Sequence, residues 1–209
     1  SPDIAGYTYD PQKTIEILEK NKWTKNEEGI YEKKIGKNKE SAPLRFTIVT
    51  TKSMQLAATL IRDYLKAVGV EADLKIVTLN DLQQNYLKTK DYGSILIGES
   101  YTNFVDPYVF WHGAAIKDPG LNLSLYSNKK VNKILEDARQ ITDPVKRAQK
   151  LEDFQKLVLA DAPAVFLYSP NYIYVVKNAK NIDLINLAVP SNRFSKINEW
   201  FMATERIWK

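Results

Sequence analysis

Between residues 44 and 98 the hydrophobic period of the chain switches repeatedly between two residues and about 3.6, and this alternation constrains the fold more than any other feature. Leu44, Phe46 and Ile48 alternate with Arg45 and Thr47, as a half-buried strand requires. Leu56, Leu60, Ile61, Leu65 and Val68 then recur at helical spacing, with Ser53 placed to cap the helix and Gly69 to stop it. Val70, Ala72, Leu74 and Ile76 restore the alternation. Asn80 is placed to cap another helix bearing Leu82, Tyr86 and Leu87, and Tyr92-Gly93-Ser94-Ile95-Leu96-Ile97-Gly98 is an apolar run of strand length. The order strand–helix–strand–helix–strand predicts an α/β fold, a parallel or mixed β-sheet flanked by helices.

The flanks are legible in the same terms. Asp10-Pro11 opens a helix with Ile15 and Leu18 on one face and Trp23 beyond its end, because Asp caps well and Pro at the first position gives up an N–H that is unpaired anyway. Residues 29–36 read as a short strand, and the polar stretch 37–41 as a hairpin or surface loop. After residue 98 the periodicity is lost for about thirty residues, in a stretch holding Tyr101, Phe104, Tyr108, Phe110 and Trp111; so long a loop inside a compact domain is usually functional. Asn128 and Asp143-Pro144 open two further helices, the first with Val131, Ile134, Leu135 and Ala138 inward, the second with Ala148, Leu151, Phe154, Leu157 and Val158. Residues 165–168 and 172–176 are expected as buried strands, and the tail to Lys209 has weak periodicity with apolar residues lacking an obvious partner.

Several function classes find no support. The net charge of +5 comes from 30 basic residues interleaved with 25 acidic ones, a solvated surface and not the gathered basic face of a nucleic-acid binder. The absence of cysteine excludes disulfides, thiolate metal sites and a Cys nucleophile. No apolar run approaches the roughly 20 residues that span a bilayer. Ser1-Pro2-Asp3-Ile4 has neither an initiator Met nor the basic and apolar regions of a signal peptide, so the chain is expected to be a piece of something longer. His112 is the only histidine, and a lone His in an aromatic loop is more often structural than catalytic. No Gly-x-Ser-x-Gly elbow, phosphate-binding glycine loop or metal-ligand spacing is present, so no catalytic residue, metal or cofactor is expected.

Six segments, in order, carry a resemblance. Tyr9-Asp10-Pro11-Gln12-Lys13 with Ile17-Leu18 and Trp23 is similar to a "YDPEKAKxLLxxAGW" motif. The strand from Leu44 to Thr50 with the helix end Leu60 to Val70, Asp91-Tyr92, and Asp106-Pro107 follow the same pattern. Asn128 to Arg139 resembles "NPEVDxLLxxAR", and Asp143, Arg147, Gln155 and Asp161-Ala162-Pro163 through Leu167-Tyr168 resemble "DxxxRxxLYxxxQxxLxxDAPxxxLY". These are the marks of family 5 of the bacterial extracellular solute-binding proteins, receptors of ABC importers for oligopeptides, dipeptides, nickel complexes and some sugars.

The resemblance implies a periplasmic-binding-protein-like fold of type II, two α/β lobes that close on a solute without covalent chemistry, with this chain matching the carboxyl-terminal part. Residues 1–171 are then the second ligand-binding lobe, and 172–209 a return segment packed on the first, amino-terminal lobe. It implies an exported protein, tethered by lipid ahead of residue 1, that hands its solute to a membrane permease. An oligopeptide is the expected solute; a sugar or metal chelate, or a surface signalling or adhesion role on the same fold, are the alternatives. Cleft-facing groups are expected at strand ends: Thr51, Lys52 and Ser53 at a helix start, and the loop after the apolar strand. In peptide-binding relatives an Asp four residues before the "DP" proline pairs with the ligand's amino group, with a Trp three residues earlier; here Asn103 and Ser100 stand at those positions. Asn accepts a hydrogen bond from an ammonium without the charge, which lowers a contribution of about 1.5–3 kcal/mol to about 1. Glu99 or Asp106 is placed to replace the carboxylate, and Tyr101 or Trp111 the stacking surface.

Overall fold

The computed structural model describes residues 4, 6–36, 40–99, 106–171, 173–184 and 190–202. The chain divides into two compact units, one of Ser1–Ile97 with Tyr108–Pro163, the other of Gly98–Pro107 with Ala164–Lys209.

The first unit opens with α1, Pro11–Lys20, whose N-cap Asp10 accepts a hydrogen bond from the Lys13 N–H at 2.9 Å. Strands β1 (Thr24–Lys25), β2 (Tyr31–Ile35) and β3 (Glu40–Pro43) form an antiparallel sheet in that order. The predicted alternation of strands and helices follows. Strand β4 (Arg45–Thr51) leads through a 3-10 turn at Lys52–Met54 into α2 (Gln55–Ala67) and back to β5 (Glu71–Val77). A short helix α3 (Leu79–Asp81) runs on as a π-helical turn, Leu82–Leu87, before β6 (Ser94–Ile95). All three strands are parallel, in the order β5-β4-β6. Being central, β4 is covered on both faces: Ile48, Val49 and Thr50 are all buried, so the expected half-buried alternation holds only for its first half.

Gly69 stops α2 as expected. At φ 79° it lets its own N–H reach the Lys66 carbonyl and that of Val70 reach the Leu65 carbonyl, both at 3.0 Å, which closes a Schellman turn. Its carbonyl accepts the Tyr31 N–H at 2.8 Å, and this ties the antiparallel sheet to the parallel one. Two expected caps are corrected. Thr78, not Asn80, accepts the capping bond, from the Asp81 N–H, because the helix starts one residue before Asn80. Ser53 lies inside the 3-10 turn and caps nothing. Helix α2 is also apolar on two sides: Ala58, Ile61 and Leu65 pack toward β4 and β5, while Leu56 and Leu60 are exposed.

Helices α4 (Tyr108–Trp111), α5 (Lys129–Gln140) and α6 (Pro144–Asp161) complete this unit. Asn128 and Asp143 cap α5 and α6 as predicted. Val131, Ile134, Leu135, Phe154 and Val158 make their shared core, while Ala148 is exposed and not inward.

The described residues of the second unit have little regular structure. Residues 165–168 form no strand and are exposed, and 173–176 likewise pair with nothing in a ladder; Tyr172 lies outside the described residues. A strand needs a neighbour to take its N–H and C=O groups, and the described residues of these segments have no such ladder. Two-residue strands β7 (Ala179–Lys180) and β8 (Phe201–Met202) pair antiparallel. Trp200 is not an orphan: its ring centroid lies 6.3 Å from that of Tyr174 and 6.0 Å from that of Phe194.

Candidate functional site

From β4 the chain crosses to β5 on one flank, and from β5 it crosses to β6 on the other. The two connections therefore part at the carboxyl end of β4, the position where open parallel sheets leave a crevice for ligands. Thr51, Lys52 and Ser53 leave β4 at this edge, and Leu96 and Ile97 leave β6.

Lys52 and Ser53 are exposed, and Thr51 is half-buried. Thr51 is extended (φ −100°, ψ 166°), and its hydroxyl shares a 2.8 Å hydrogen bond with that of Ser53. The two hydroxyls bond to one another, and neither the 3-10 turn nor α2 behind it has a side-chain cap. Asp10, Asn128 and Asp143 occupy this role at α1, α5 and α6. The β4–α2 turn thus presents backbone N–H groups at the positive end of a helix without an acceptor from a capping side chain.

One residue earlier sits a group that strand periodicity did not single out. Thr50 is fully buried (0% exposed), and its hydroxyl donates to the Leu96 carbonyl at 2.8 Å. The backbone ladder between β4 and β6 pairs only Ile48 with Ser94 and Val49 with Ile95, extended by the Leu96 N–H donating to Val49 O at 3.0 Å. The Thr50 side chain then takes over from the ladder at its last rung. A threonine inside an apolar strand run is the only sequence signal for it.

Ser100, Tyr101 and Asn103 lie outside the described residues. Asp106 is half-buried in the coil before α4. The Trp111 ring is packed against the α5/α6 core, with centroids 6.4 Å from both Tyr126 and Phe154. His112 is 7% exposed and engaged at both nitrogens: Nδ1 accepts the Ala114 N–H at 3.0 Å, which leaves the proton on Nε2, 3.2 Å from Glu136 Oε1. Its ring stacks on Tyr108 at 4.1 Å, and the Arg139 guanidinium covers the other ring partner, 4.4 Å from the Tyr108 centroid. Such a histidine holds a loop and has no nitrogen left to act as a base.

The part of the loop between α4 and α5 is held by buried and half-buried polar side chains. Buried Asn122 donates to the carbonyls of His112 and Tyr126 and accepts from the Ser124 hydroxyl and the Tyr126 N–H. Asp161, at the end of α6, accepts from the Tyr126 hydroxyl at 2.6 Å and from Asn128 Nδ2 at 2.8 Å. These two donors hold its carboxyl below the usual carboxylate range, while burial and the Asp161 charge push the Tyr126 phenol up to about 12. Among the described residues there is no cluster of three or more His, Asp or Glu that would hold a metal, and no helix is long and apolar enough to cross a membrane.

Residues 1–120 match the family described as bacterial extracellular solute-binding proteins, family 5, middle region. The oligopeptide-binding protein AppA of Bacillus subtilis is 28% identical over 174 residues, which cover 81% of this chain and 31% of AppA. The structure of AppA in complex with a nonapeptide superposes with a TM-score of 0.76 at 25% identity, covering 98% of this chain and 40% of that one. NikZ from Campylobacter jejuni, in complex with Ni(L-His), superposes with a TM-score of 0.70 at 23% identity, covering 96% of this chain and 40% of that one. The fold is therefore that of the type II periplasmic binding proteins, and this chain spans less than half the length of either relative.

Proposed function

Since the chain belongs to family 5 of the bacterial extracellular solute-binding proteins, we propose that it forms one lobe of a receptor that captures an oligopeptide for an ABC importer. Capture is non-covalent, by closure of two lobes, and the solute passes to a membrane permease. The receptor works outside the cytoplasmic membrane, held there by a lipid tether. Residues 172–209 belong to a return segment that packs on the other lobe, a reading supported by the exposure of Ile173 and Val175.

The observation that carries this reading is the switch point at the carboxyl end of β4, where the uncapped turn from Thr51 through Ser53 offers N–H donors and the Lys52 charge. A peptide presents carbonyls and a carboxylate, the acceptors such a turn suits. Ser100, Tyr101, Asn103 and Asp106, on the segment that follows β6, are assigned to the same solute. The Trp111 ring packs against the α5/α6 core. Asn103 leaves the peptide's amino group without a formal charge partner at that position, so backbone contacts take a larger share of the binding.

Native mass spectrometry on the gently purified full-length protein tests this. A ladder of bound masses matching short peptides is expected. A single non-peptide mass moves the assignment to a sugar or metal-chelate receptor, and protein that emerges free of solute favours a signalling or adhesion role.

A further inference from the structure

Helix α2 carries more apolar surface than its sheet covers. At about 100° per residue, Leu56, Leu60 and Tyr64 line one flank of the helix, beside the Ala58, Ile61 and Leu65 face that packs on β4 and β5. Flank and face together take more than half of the circumference, and the polar side chains are confined to the rest. The sheet covers the face only: Leu56 is 75% exposed and Tyr64 53%. Helix α5 shows what a helix with one neighbour looks like, since each of its exposed residues is charged or an amide. An apolar arc as broad as that of α2 suits a helix with neighbours on two sides.

The second side is already marked by an aromatic contact. The coil ahead of α1 brings the Tyr9 ring to within 5.3 Å of the Tyr64 ring, centroid to centroid, yet Tyr9 is itself 71% exposed. Tyrosines with a free apolar face and aliphatic side chains beside them are the composition of a contact surface. Charge indicates the kind of occupant. The flank carries no charge, and the adjoining Arg62 and Asp63 bond to each other, Nε to Oδ1 at 2.9 Å. A separate partner or an anionic membrane is drawn in by unpaired charge, which this flank does not offer. A part of the same polypeptide needs no such attraction, because the chain itself holds it at high local concentration. In the AppA structure more than half of the chain lies outside the part that superposes on these residues.

We propose that the Leu56–Leu60–Tyr64 flank of α2, together with Tyr9, is an interface inside the receptor, covered by the other lobe of the same polypeptide. This rests on the two-lobe reading given above and does not depend on which solute is captured.

The experiment uses the full-length protein and two readouts, neither of which needs solute. The 209 residues contain no cysteine, so a thiol introduced here is followed in the peptide that carries it. Leu60→Cys and, as control on the polar side of α2, the exposed Lys66→Cys are reacted with a maleimide, each rate being referred to that in urea. The thiol at position 60 is expected to react at least about tenfold more slowly than that at 66, as a group reached only by local opening does. Equal rates overturn the proposal, and so does protection that disappears on dilution, which would assign the flank to a second copy. Irradiation of Leu56→benzoylphenylalanine is expected to give a cross-link to a peptide outside residues 1–209 of the same molecule. Cross-links confined to these residues or joining two molecules overturn the proposal, as does the absence of any. Protein that shows the protection and the cross-link but binds no peptide defeats the solute reading alone. Protein that binds peptide while its Leu60→Cys thiol reacts like that at 66 defeats this interface alone.

Discussion

The helix pair α5/α6 and the segment 164–176 are both rich in aliphatic residues, yet they end in opposite conditions. Leu135 is 1% exposed in the helix pair, whereas Val175 in the segment is 87% exposed. The difference lies in what each needs from the rest of the chain. A helix satisfies its own backbone, so Asn128 and Asp143 as caps, with an apolar stripe, suffice to define two helices that then cover one another. An extended segment satisfies nothing until a partner strand arrives. Helices that are locally complete and strands that find a ladder are therefore buried within the first unit, whereas residues 165–168, with no ladder among the described residues, stay exposed.

The sharpest way to break this contrast is to remove buried volume where it is said to count. Leu135→Ala is expected to destabilise the chain by about 2–5 kcal/mol, transfer and cavity terms together. Urea unfolding measures this as a lower midpoint at unchanged slope. A loss below about 1 kcal/mol would mean that the α5/α6 interface is not a packed core, and the distinction between the two regions would collapse.

Next in size is the junction between the two sheets of the first unit. A Cβ on Gly69 would lie 2.8 Å from the Gly29 carbonyl oxygen and 3.1 Å from the Tyr31 ring, at a φ of +79° that disfavours any side chain. Gly69→Ala is expected to cost about 2–4 kcal/mol, from the left-handed backbone and the clash together. Circular dichroism melting that shows no change would indicate that the antiparallel sheet moves independently of α2 and β5.

The same contrast explains which parts of the molecule were legible in the sequence. The parallel sheet, α1, α5 and α6 follow from period, caps and stops that lie within one element. Gly69, Asp10 and Asn128 do in the structure what their types suggest. Residues 165–168 were misread because a continuous apolar run specifies burial without specifying the partner that supplies it. Leu56 and Leu60 misled for a related reason: a helix with apolar residues on two faces does not say which face turns inward. At the site, the turn from Thr51 to Ser53 was legible as a strand-to-helix junction, but not the mutual bond that leaves its start uncapped. Thr50, Asn122 and Asp161 act through contacts 46, 10 and 35 residues away, and no local pattern encodes those.

A smaller effect separates the two helices' tie from the core they enclose. The Tyr126 hydroxyl donates to Asp161, which is held below its ordinary pKa of 3.8, while Tyr126 is raised from 10.0 to about 12. A depressed carboxylate contributes stability that is complete above its unfolded pKa and is lost as pH falls through the lower folded value. A raised phenol contributes stability that is complete below pH 10 and is lost as pH rises through about 12. The stability difference between wild type and Tyr126→Phe is therefore expected to be flat from about pH 5 to 9 and to shrink toward both extremes. Chemical unfolding across this range checks it, and a difference that varies within the plateau would assign the effect to another group.

The smallest expected effect is the most informative about the open region. Val175→Ser on the 209-residue chain exchanges an 87% exposed aliphatic group for a polar one. Nothing buried is lost, so stability should stay within about 0.5 kcal/mol of wild type. In a protein carrying both lobes, a return segment that packs on the other lobe buries this side chain, and the same substitution should then cost about 1.5–3 kcal/mol, the value of burying a valine. Measuring both proteins by urea unfolding turns the exposure of one residue into a test of the domain assignment. Equal and negligible effects would leave 172–209 as a surface tail. A large effect already in the 209-residue chain would show that Val175 is covered within it, and that the second unit is as self-sufficient as the first.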